Sequence, residues 1–135
     1  MELATPADIP AMLELWRAAP GVSLGAGDNE ISLAVLIERN PSTCLVLKYQ
    51  DSIIGTVLGG FDGRRGYIYH LVVHKDFRRQ GYGKKLLQEA VKQLEALGAD
   101  KINLFVLKSN PEAEGFYEKL GWIKRSDIEV FSLNL

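Results

Sequence analysis

The run Arg78 to Lys84, which reads Arg-Arg-Gln-Gly-Tyr-Gly-Lys, constrains this chain more than any other stretch. Residues 67–73 before it are rich in β-branched and aromatic side chains, a pattern that predicts a strand. The residues after it have the apolar periodicity of a helix. A strand, a glycine-bearing loop and a helix in this order direct free backbone N–H groups at an anion. The glycines allow close approach and the flanking cations add positive charge, so the stretch predicts a diphosphate site.

Two other phosphate motifs are excluded by the residues around this loop. Leu86 stands where the dinucleotide-binding fingerprint has its third glycine, and the predicted strand Lys101–Val106 is followed by Leu107 and Lys108, not by an acidic residue for a ribose. The chain contains no Gly-Lys-Ser or Gly-Lys-Thr, which excludes an NTPase loop.

The remaining patterns predict a mixed α/β sheet with helices on both faces. A right-handed crossover makes the strand after the glycine-loop helix parallel to the strand before it, while the other strands form antiparallel neighbours. In chain order, the predicted elements are a strand Glu2–Ala4, a helix starting between Thr5 and Asp8, a helix Glu30–Arg39, strands Thr43–Tyr49, Ile53–Phe61 and 67–73, a helix ending at Gly98, a strand Lys101–Val106, a helix capped by Ser109 or Asn110 and ending at Gly121, and an antiparallel pair Trp122–Arg125 and Ile128–Leu133.

Composition places the chain among globular proteins of one domain, residues 1–135, with 47% hydrophobic and 24% charged residues. A net charge of −1 gives no electrostatic reason to expect nucleic acid or an anionic membrane as a partner. One Cys and two His at unrelated positions predict neither a disulfide nor a metal site. The reduced Cys and the absence of a signal-like N-terminus predict a cytoplasmic protein.

Three motifs resemble the GNAT superfamily of N-acetyltransferases. Arg78-x-x-Gly81-x-Gly83 resembles its acyl-CoA pyrophosphate loop, and Leu71-Val72-Val73-His74 resembles the strand before that loop. Asn110-x-x-Ala113-x-x-Phe116-Tyr117-x-Lys119-Leu120-Gly121-Trp122 resembles its late helix. The stretch Thr56-Val57-x-Gly59-Gly60-x-Asp62-Gly63-x-Arg65-Gly66 is similar to a bacterial branch, the YpeA-like proteins.

The resemblance implies a three-layer fold with a central parallel pair whose strands separate, and acetyl-CoA as the co-substrate. It implies that the backbone of Leu71, Val72 and Val73 binds pantetheine, that a main-chain N–H there stabilises the oxyanion, and that Tyr117 protonates the departing thiolate. The implied cofactor-binding residues beyond the strand are Arg78, Arg79, Gln80, Gly81, Tyr82, Gly83, Lys84 and Asn110.

The general base is not identified by the sequence. Phe105 stands where ribosomal-protein acetyltransferases of the superfamily carry a glutamate, so neither their mechanism nor their substrate is carried over. Base candidates are Tyr69, His70, Asp62 and Glu30, although His70 fits a half-buried structural histidine better, and a free amine acceptor would need no base. The resemblance implies that the acceptor is a primary amine of a small molecule, a peptide or a lysine, and that the helix-loop-helix region before residue 40 forms the wall of the acceptor site.

Two other functions stay open from the sequence. One is a non-catalytic sensor that binds acyl-CoA, which Phe105 favours and Tyr117 disfavours; the other is a small nucleotide-binding domain. Val130–Leu133 is predicted as an edge strand that could pair between subunits, so a homodimer is plausible. Cys44 lies in an apolar strand pattern and is predicted to be inert core.

Overall fold

Five strands form one mixed sheet in the order β1-β2-β3-β4-β5, seen in a computed structural model that describes residues 1–135. Neighbouring strands run antiparallel except β4 and β5, which are parallel, as predicted. The strands are β1 Glu2–Leu3, β2 Cys44–Tyr49, β3 Ser52–Phe61, β4 Gly66–Val73 and β5 Ile102–Leu104.

Four helices accompany the sheet, and their boundaries follow the sequence signals closely. The helices are α1 Ile9–Ala18, α2 Glu30–Arg39, α3 Tyr82–Leu97 and α4 Pro111–Lys119, with 3-10 turns at Pro6–Asp8 and Lys75–Phe77. Gly98 ends α3 with a left-handed φ of 105° and Asn29 caps α2 by accepting from Ser32 N–H, which are standard stop and start signals. No helix has both the length and the apolar character that crossing a bilayer requires.

The chain divides into two units, Met1–Phe105 and Val106–Leu135. The first holds the sheet and α1 to α3, and the second holds α4 and the residues around it. The single domain predicted over residues 1–135 therefore stays a prediction.

Alternation along β3 places helices on opposite faces of the sheet. A side chain on Gly55 would lie 2.9 Å from Leu86 Cδ1 of α3, whereas the next residue, Thr56, accepts a 2.8 Å hydrogen bond from Trp16 Nε1 of α1. Because successive side chains of a strand point to opposite faces, α1 and α3 cover different faces. Leu33 and Ile37 of α2 join the α1 core, so the unit has three layers.

The predicted strands Trp122–Arg125 and Ile128–Leu133 are not formed. Their apolar side chains find no buried surface, since Ile123 is 84% exposed, Phe131 94% and Leu133 85%. Strand propensity reflects packing on a half-buried pleated surface, and it has no effect where that surface is missing. The prediction of an edge strand at Val130–Leu133 is therefore wrong. β5 lies at the edge of the sheet, whereas a central position was predicted for it.

Replacing Gly59 with alanine tests the close approach of β2 and β3. The added Cβ would lie 2.9 Å from both Cβ and the carbonyl oxygen of Thr43, closer than real contacts allow. We expect Gly59→Ala to lower the free energy of unfolding by about 1–3 kcal/mol, measured by urea denaturation.

The neighbouring Gly60→Ala variant is the matched control, because its Cβ would meet Tyr69 Cε2 at an ordinary 3.6 Å. It should change stability by no more than about 0.5 kcal/mol. Equal urea midpoints for both variants would contradict the steric explanation.

Candidate active site

The parallel strands stop pairing well before β4 ends. Their register joins Gly66 to Ile102, Tyr67 to Asn103 and Ile68 to Leu104, while β4 continues to Val73. The segment from Tyr69 to Val73 therefore has no β5 partner on that edge. Backbone N–H and C=O groups need hydrogen-bond partners, so such an edge can accept an extended ligand with amides of its own.

A β-bulge lies in this same segment. Thr56 pairs with Val72 and Leu58 with Tyr69, so a step of two residues on β3 spans three residues on β4. His70 takes up the extra length with a left-handed φ of 46°. A bulge leaves one residue outside the ladder and redirects its groups, which is why bulges are common beside active sites.

The first turn of α3 presents free N–H groups. Gly81, the residue before the helix, has a φ of 84° and no side chain to cap it, and the first turn contains no acidic residue. The leading N–H groups of a helix have no partner inside it, and the helix dipole adds partial positive charge there. An added Cβ on Gly81 would meet no atom within 4 Å, so the space before the helix is open.

The loop between β4 and α3 concentrates positive charge. Lys75, Arg78, Arg79, Lys84 and Lys85 lie within eleven residues that hold one acid, Asp76, and none of the five forms a salt bridge. Arg78 Nε donates a 3.1 Å hydrogen bond to the Val73 carbonyl oxygen, which ties the loop to the end of β4. Free N–H groups, open space and unpaired cations together suit a diphosphate.

The glycine loop and the strand end are thus brought together as the sequence predicted. Leu71, Val72 and Val73 lie on the unpaired part of β4, and Gly81, Tyr82, Gly83 and Lys84 form the start of α3. Gln80 is exposed and precedes this turn. His74 holds the connection, because its Nδ1 accepts a 3.1 Å hydrogen bond from Asp76 N–H.

Asn110 and Tyr117 lie in the second unit, Val106–Leu135. Asn110 caps α4 by accepting from Ala113 N–H at 3.1 Å. The ring of Tyr117 contacts Trp122 edge-on, with centroids 5.8 Å apart, and burial raises the pKa of its phenol to about 12. Its hydroxyl has no hydrogen-bond partner in the chain and is not enclosed, since no buried side-chain oxygen lacks a partner. Tyr117 therefore offers a protonated, free hydroxyl.

Most candidate bases have other roles. The Asp62 carboxylate accepts hydrogen bonds from the N–H groups of Arg65 and Arg64, and these bonds lower its pKa. Glu30 is exposed at the start of α2. Desolvation raises the pKa of the Tyr69 phenol, so that phenol stays protonated at neutral pH and cannot accept a proton. Phe105 is 64% exposed and has no proton to exchange.

A contact that the sequence did not reveal joins His70 to Asp28. His70 Nε2 lies 2.9 Å from Asp28 Oδ1, across 42 residues of sequence. The turn signals at Gly25 and Gly27 identified the loop but not a role for its carboxylate. Cys44, by contrast, is fully buried, and burial raises the pKa of its thiol to about 11, so it is inert core as predicted.

Comparison with known proteins agrees with this geometry. The acetyltransferase (GNAT) family matches residues 9–122. An acetyltransferase of Yersinia enterocolitica is 38% identical over 101 residues, 75% of this chain and 72% of its own length. An acetyltransferase of Pectobacterium atrosepticum is 36% identical over 113 residues, 84% of this chain and 79% of its own length.

Among solved structures, a PaiA N-acetyltransferase of Thermoplasma acidophilum in complex with coenzyme A is similar at a TM-score of 0.80. The two sequences are 19% identical, and the similarity covers 95% of this chain and 91% of the other. This likeness supports the fold, and the sequence relatives support the activity. The chain is an acyltransferase of the GNAT acetyltransferase family.

Proposed function

We propose that this protein is an N-acetyltransferase that moves the acetyl group of acetyl-CoA directly to a primary amine while both substrates are bound. The observation that carries the proposal is the uncapped N-terminus of α3, which follows the unpaired end of β4. The acceptor is an amine of a small molecule, a peptide or a lysine side chain. The reaction is placed in the cytoplasm, where the single Cys stays reduced.

The diphosphate of CoA would be held by the first turn of α3. The N–H groups of Tyr82, Gly83 and Lys84 supply donors, and Gln80 and Gly81 lead into that turn. Arg78 and Arg79 add charge from the loop, and the hydrogen bond from Arg78 Nε to Val73 leaves its other guanidinium nitrogens for a phosphate. Asn110 contributes its side chain to the cofactor in addition to capping α4.

The backbone of Leu71, Val72 and Val73 would pair with the amides of pantetheine as an added strand does, apart from the Val73 carbonyl oxygen, which accepts from Arg78 Nε. The bulge at His70 frees an N–H from the ladder, and that group would polarise the acyl carbonyl and stabilise its negative charge. Acetyl-CoA supplies an activated acyl group as a thioester. The side chains of these three residues have no part in this role.

Tyr117 is the proposed acid. Acyl transfer from a thioester ends with a thiolate that takes up a proton. A phenol with a pKa of about 12 is protonated at neutral pH, so its O–H is present to donate to that thiolate. The free hydroxyl of Tyr117 and its partly buried setting agree with this role.

A sensor that binds acyl-CoA without turnover is the second candidate, and one observation favours it. Phe105, the residue after β5, has an exposed aromatic ring and stands where ribosomal-protein acetyltransferases of the superfamily carry a glutamate. Turnover with any amine would exclude the sensor.

Replacing Gly81 with alanine tests the diphosphate site. An L-residue at a φ of 84° is strained by about 1–2 kcal/mol, and relief of that strain would turn the first N–H groups of α3 out of line. We expect Gly81→Ala to weaken acetyl-CoA binding at least about tenfold by calorimetry. Free pantetheine, which lacks the diphosphate, should bind both proteins alike.

Gly98→Ala is the matched control at the other end of α3. Gly98 has a similar left-handed φ of 105° and equally open surroundings, so its replacement carries similar strain. Its stability should fall by about 1 kcal/mol while acetyl-CoA affinity stays within about twofold. Equal losses of affinity in the two variants would argue against the site.

Replacing Tyr117 with phenylalanine tests the acid. We expect kcat for acetyl transfer to fall about 10²-fold while the Kd for acetyl-CoA is unchanged, since only the proton donor is lost. Thiol release with a panel of primary amines measures the rate. An unchanged kcat would remove Tyr117 from the mechanism.

The pH dependence of unfolding at alkaline pH is a control for Tyr117→Phe. The phenol's pKa is about 12 in the folded chain, above the ordinary value of 10, so the folded state holds this proton more tightly. Stability from this group is complete below pH 10 and is lost as pH rises toward 12. The loss should be smaller in Tyr117→Phe, which confirms that the replaced phenol is the buried one.

A further inference from the structure

We propose that His70 is the general base that deprotonates the acceptor amine and that Asp28 is its positioning residue. This inference rests on the proposed function, since it names the group that prepares the amine.

His70 stands where the reaction would take place. It is the left-handed residue of the bulge, beyond the last pair of β4 with β5. The peptide unit between His70 and Leu71 belongs to the stretch whose N–H would polarise the acyl carbonyl. A base on this residue is thus within one residue, along the chain, of the N–H group that would bind the acyl oxygen.

Two hydrogen bonds fix Asp28 as a partner. Its Oδ1 lies 2.9 Å from His70 Nε2, and its Oδ2 accepts a 2.8 Å bond from Gly25 N–H. Both carboxylate oxygens are thus engaged, and the side chains of Asp28 and His70 are each 16% exposed. A carboxylate held at two points in a partly buried place can orient an imidazole and fix its tautomer.

The ring and the backbone of His70 are fixed from the α1 side as well. The imidazole lies on the Trp16 ring with centroids 4.3 Å apart. Trp16 Nε1 donates to Thr56 Oγ1, and that hydroxyl donates to the His70 carbonyl oxygen at 2.8 Å. This network holds a residue whose left-handed backbone would otherwise be unfavourable.

The second ring nitrogen is free to accept a proton. With Nε2 directed at a carboxylate, the neutral ring carries its hydrogen on Nε2 and its lone pair on Nδ1. Nδ1 has no hydrogen-bond partner in the chain, and no buried side-chain nitrogen lacks one, so Nδ1 reaches solvent. A carboxylate on one ring nitrogen and an open lone pair on the other is the arrangement that a general base needs.

The proposed acetyl transfer conserves protons and electron pairs. An acceptor R–NH₃⁺ gives one proton to His70 Nδ1, which returns it to solvent, and the amine lone pair forms the C–N bond to the thioester carbonyl carbon. The carbonyl π pair moves to oxygen and returns as the C–S bond breaks, its electrons leaving on sulfur. The surplus proton on nitrogen passes to solvent, sulfur gains a proton from Tyr117, and Tyr117 regains one from solvent. The net products are the amide, the thiol and one proton.

Two replacements of His70 respect its backbone. Asparagine and glycine tolerate the left-handed region, so His70→Asn and His70→Gly remove the imidazole without adding strain. We expect both to lower kcat for acetyl transfer about 10²-fold or more at an acetyl-CoA Kd within about twofold of wild type. Added imidazole should restore at least about tenfold of the lost rate in His70→Gly and none in wild type.

Asp28→Asn tests the positioning role. Asparagine has one oxygen for the two donors, Gly25 N–H and His70 Nε2–H, so the imidazole loses its preferred tautomer. We expect kcat to fall at least about tenfold with little change in KM for acetyl-CoA. Asp51→Asn is the matched control, because it makes the same replacement in the two-residue turn between β2 and β3. Asp51 has a φ of 66°, and its replacement should keep wild-type kcat.

Nitrogen-15 NMR of the histidine rings gives a readout without activity. The protein has two histidines, so the signals are assigned by His70→Asn, and we expect the Nε2–H tautomer for His70 in wild type and a mixture in Asp28→Asn. The Nδ1–H tautomer in wild type would overturn the proposal.

The kinetic outcomes separate the two proposals. If wild type is active and His70→Asn has the same kcat, the role of His70 is wrong and the proposed function stands. The same holds if imidazole does not rescue His70→Gly while its melting temperature is unchanged. Wild type without turnover on any amine overturns the proposed function, and this inference with it.

Discussion

The early end of the β4–β5 ladder is the constraint on which the rest of the site depends. Pairing stops at Ile68 and Leu104, so the last five residues of β4 keep one edge unsatisfied by the sheet. Backbone groups that lose a strand partner must find another, and a ligand with amides is one that fits. The loop that follows is tied to that edge by the bond from Arg78 to the Val73 carbonyl oxygen, which connects the strand end to the anion site.

The two faces of the sheet carry different parts of the proposed site. α3 covers the face toward which Gly55 points, and its first turn carries the free N–H groups for an anion. On the other face, Trp16 donates a hydrogen bond to Thr56. The Thr56 hydroxyl donates to the His70 carbonyl oxygen, and the Trp16 ring contacts the imidazole. The bulge lets His70 join that face although the regular alternation of β4 would place it elsewhere. One extra residue therefore supplies both a freed N–H and a fixed imidazole.

Local signals predicted most of the fold. The helix predicted at about Glu30–Arg39 has those bounds, the predicted stop at Gly98 is confirmed, and of the two predicted caps of α4, Ser109 and Asn110, the structure has Asn110. These signals depend on neighbours a few residues away. The prediction failed for residues 122–133, where apolar alternation indicated strands that are not formed. Alternation shows that a segment could cover a core, and it does not show that a core is there to cover.

The sequence by itself determined the glycine loop, its cations, the order of strands and helices, and through its motifs the family. Those features are short-range, since periodicity, turn residues and caps act within a few positions. Only the tertiary structure decided that Asp28 meets His70 across 42 residues and that Cys44, Thr43 and Thr56 are fully buried. The reason is that a hydrogen bond between distant residues depends on strand register, on a bulge and on how a loop folds back. No local pattern encodes these three together.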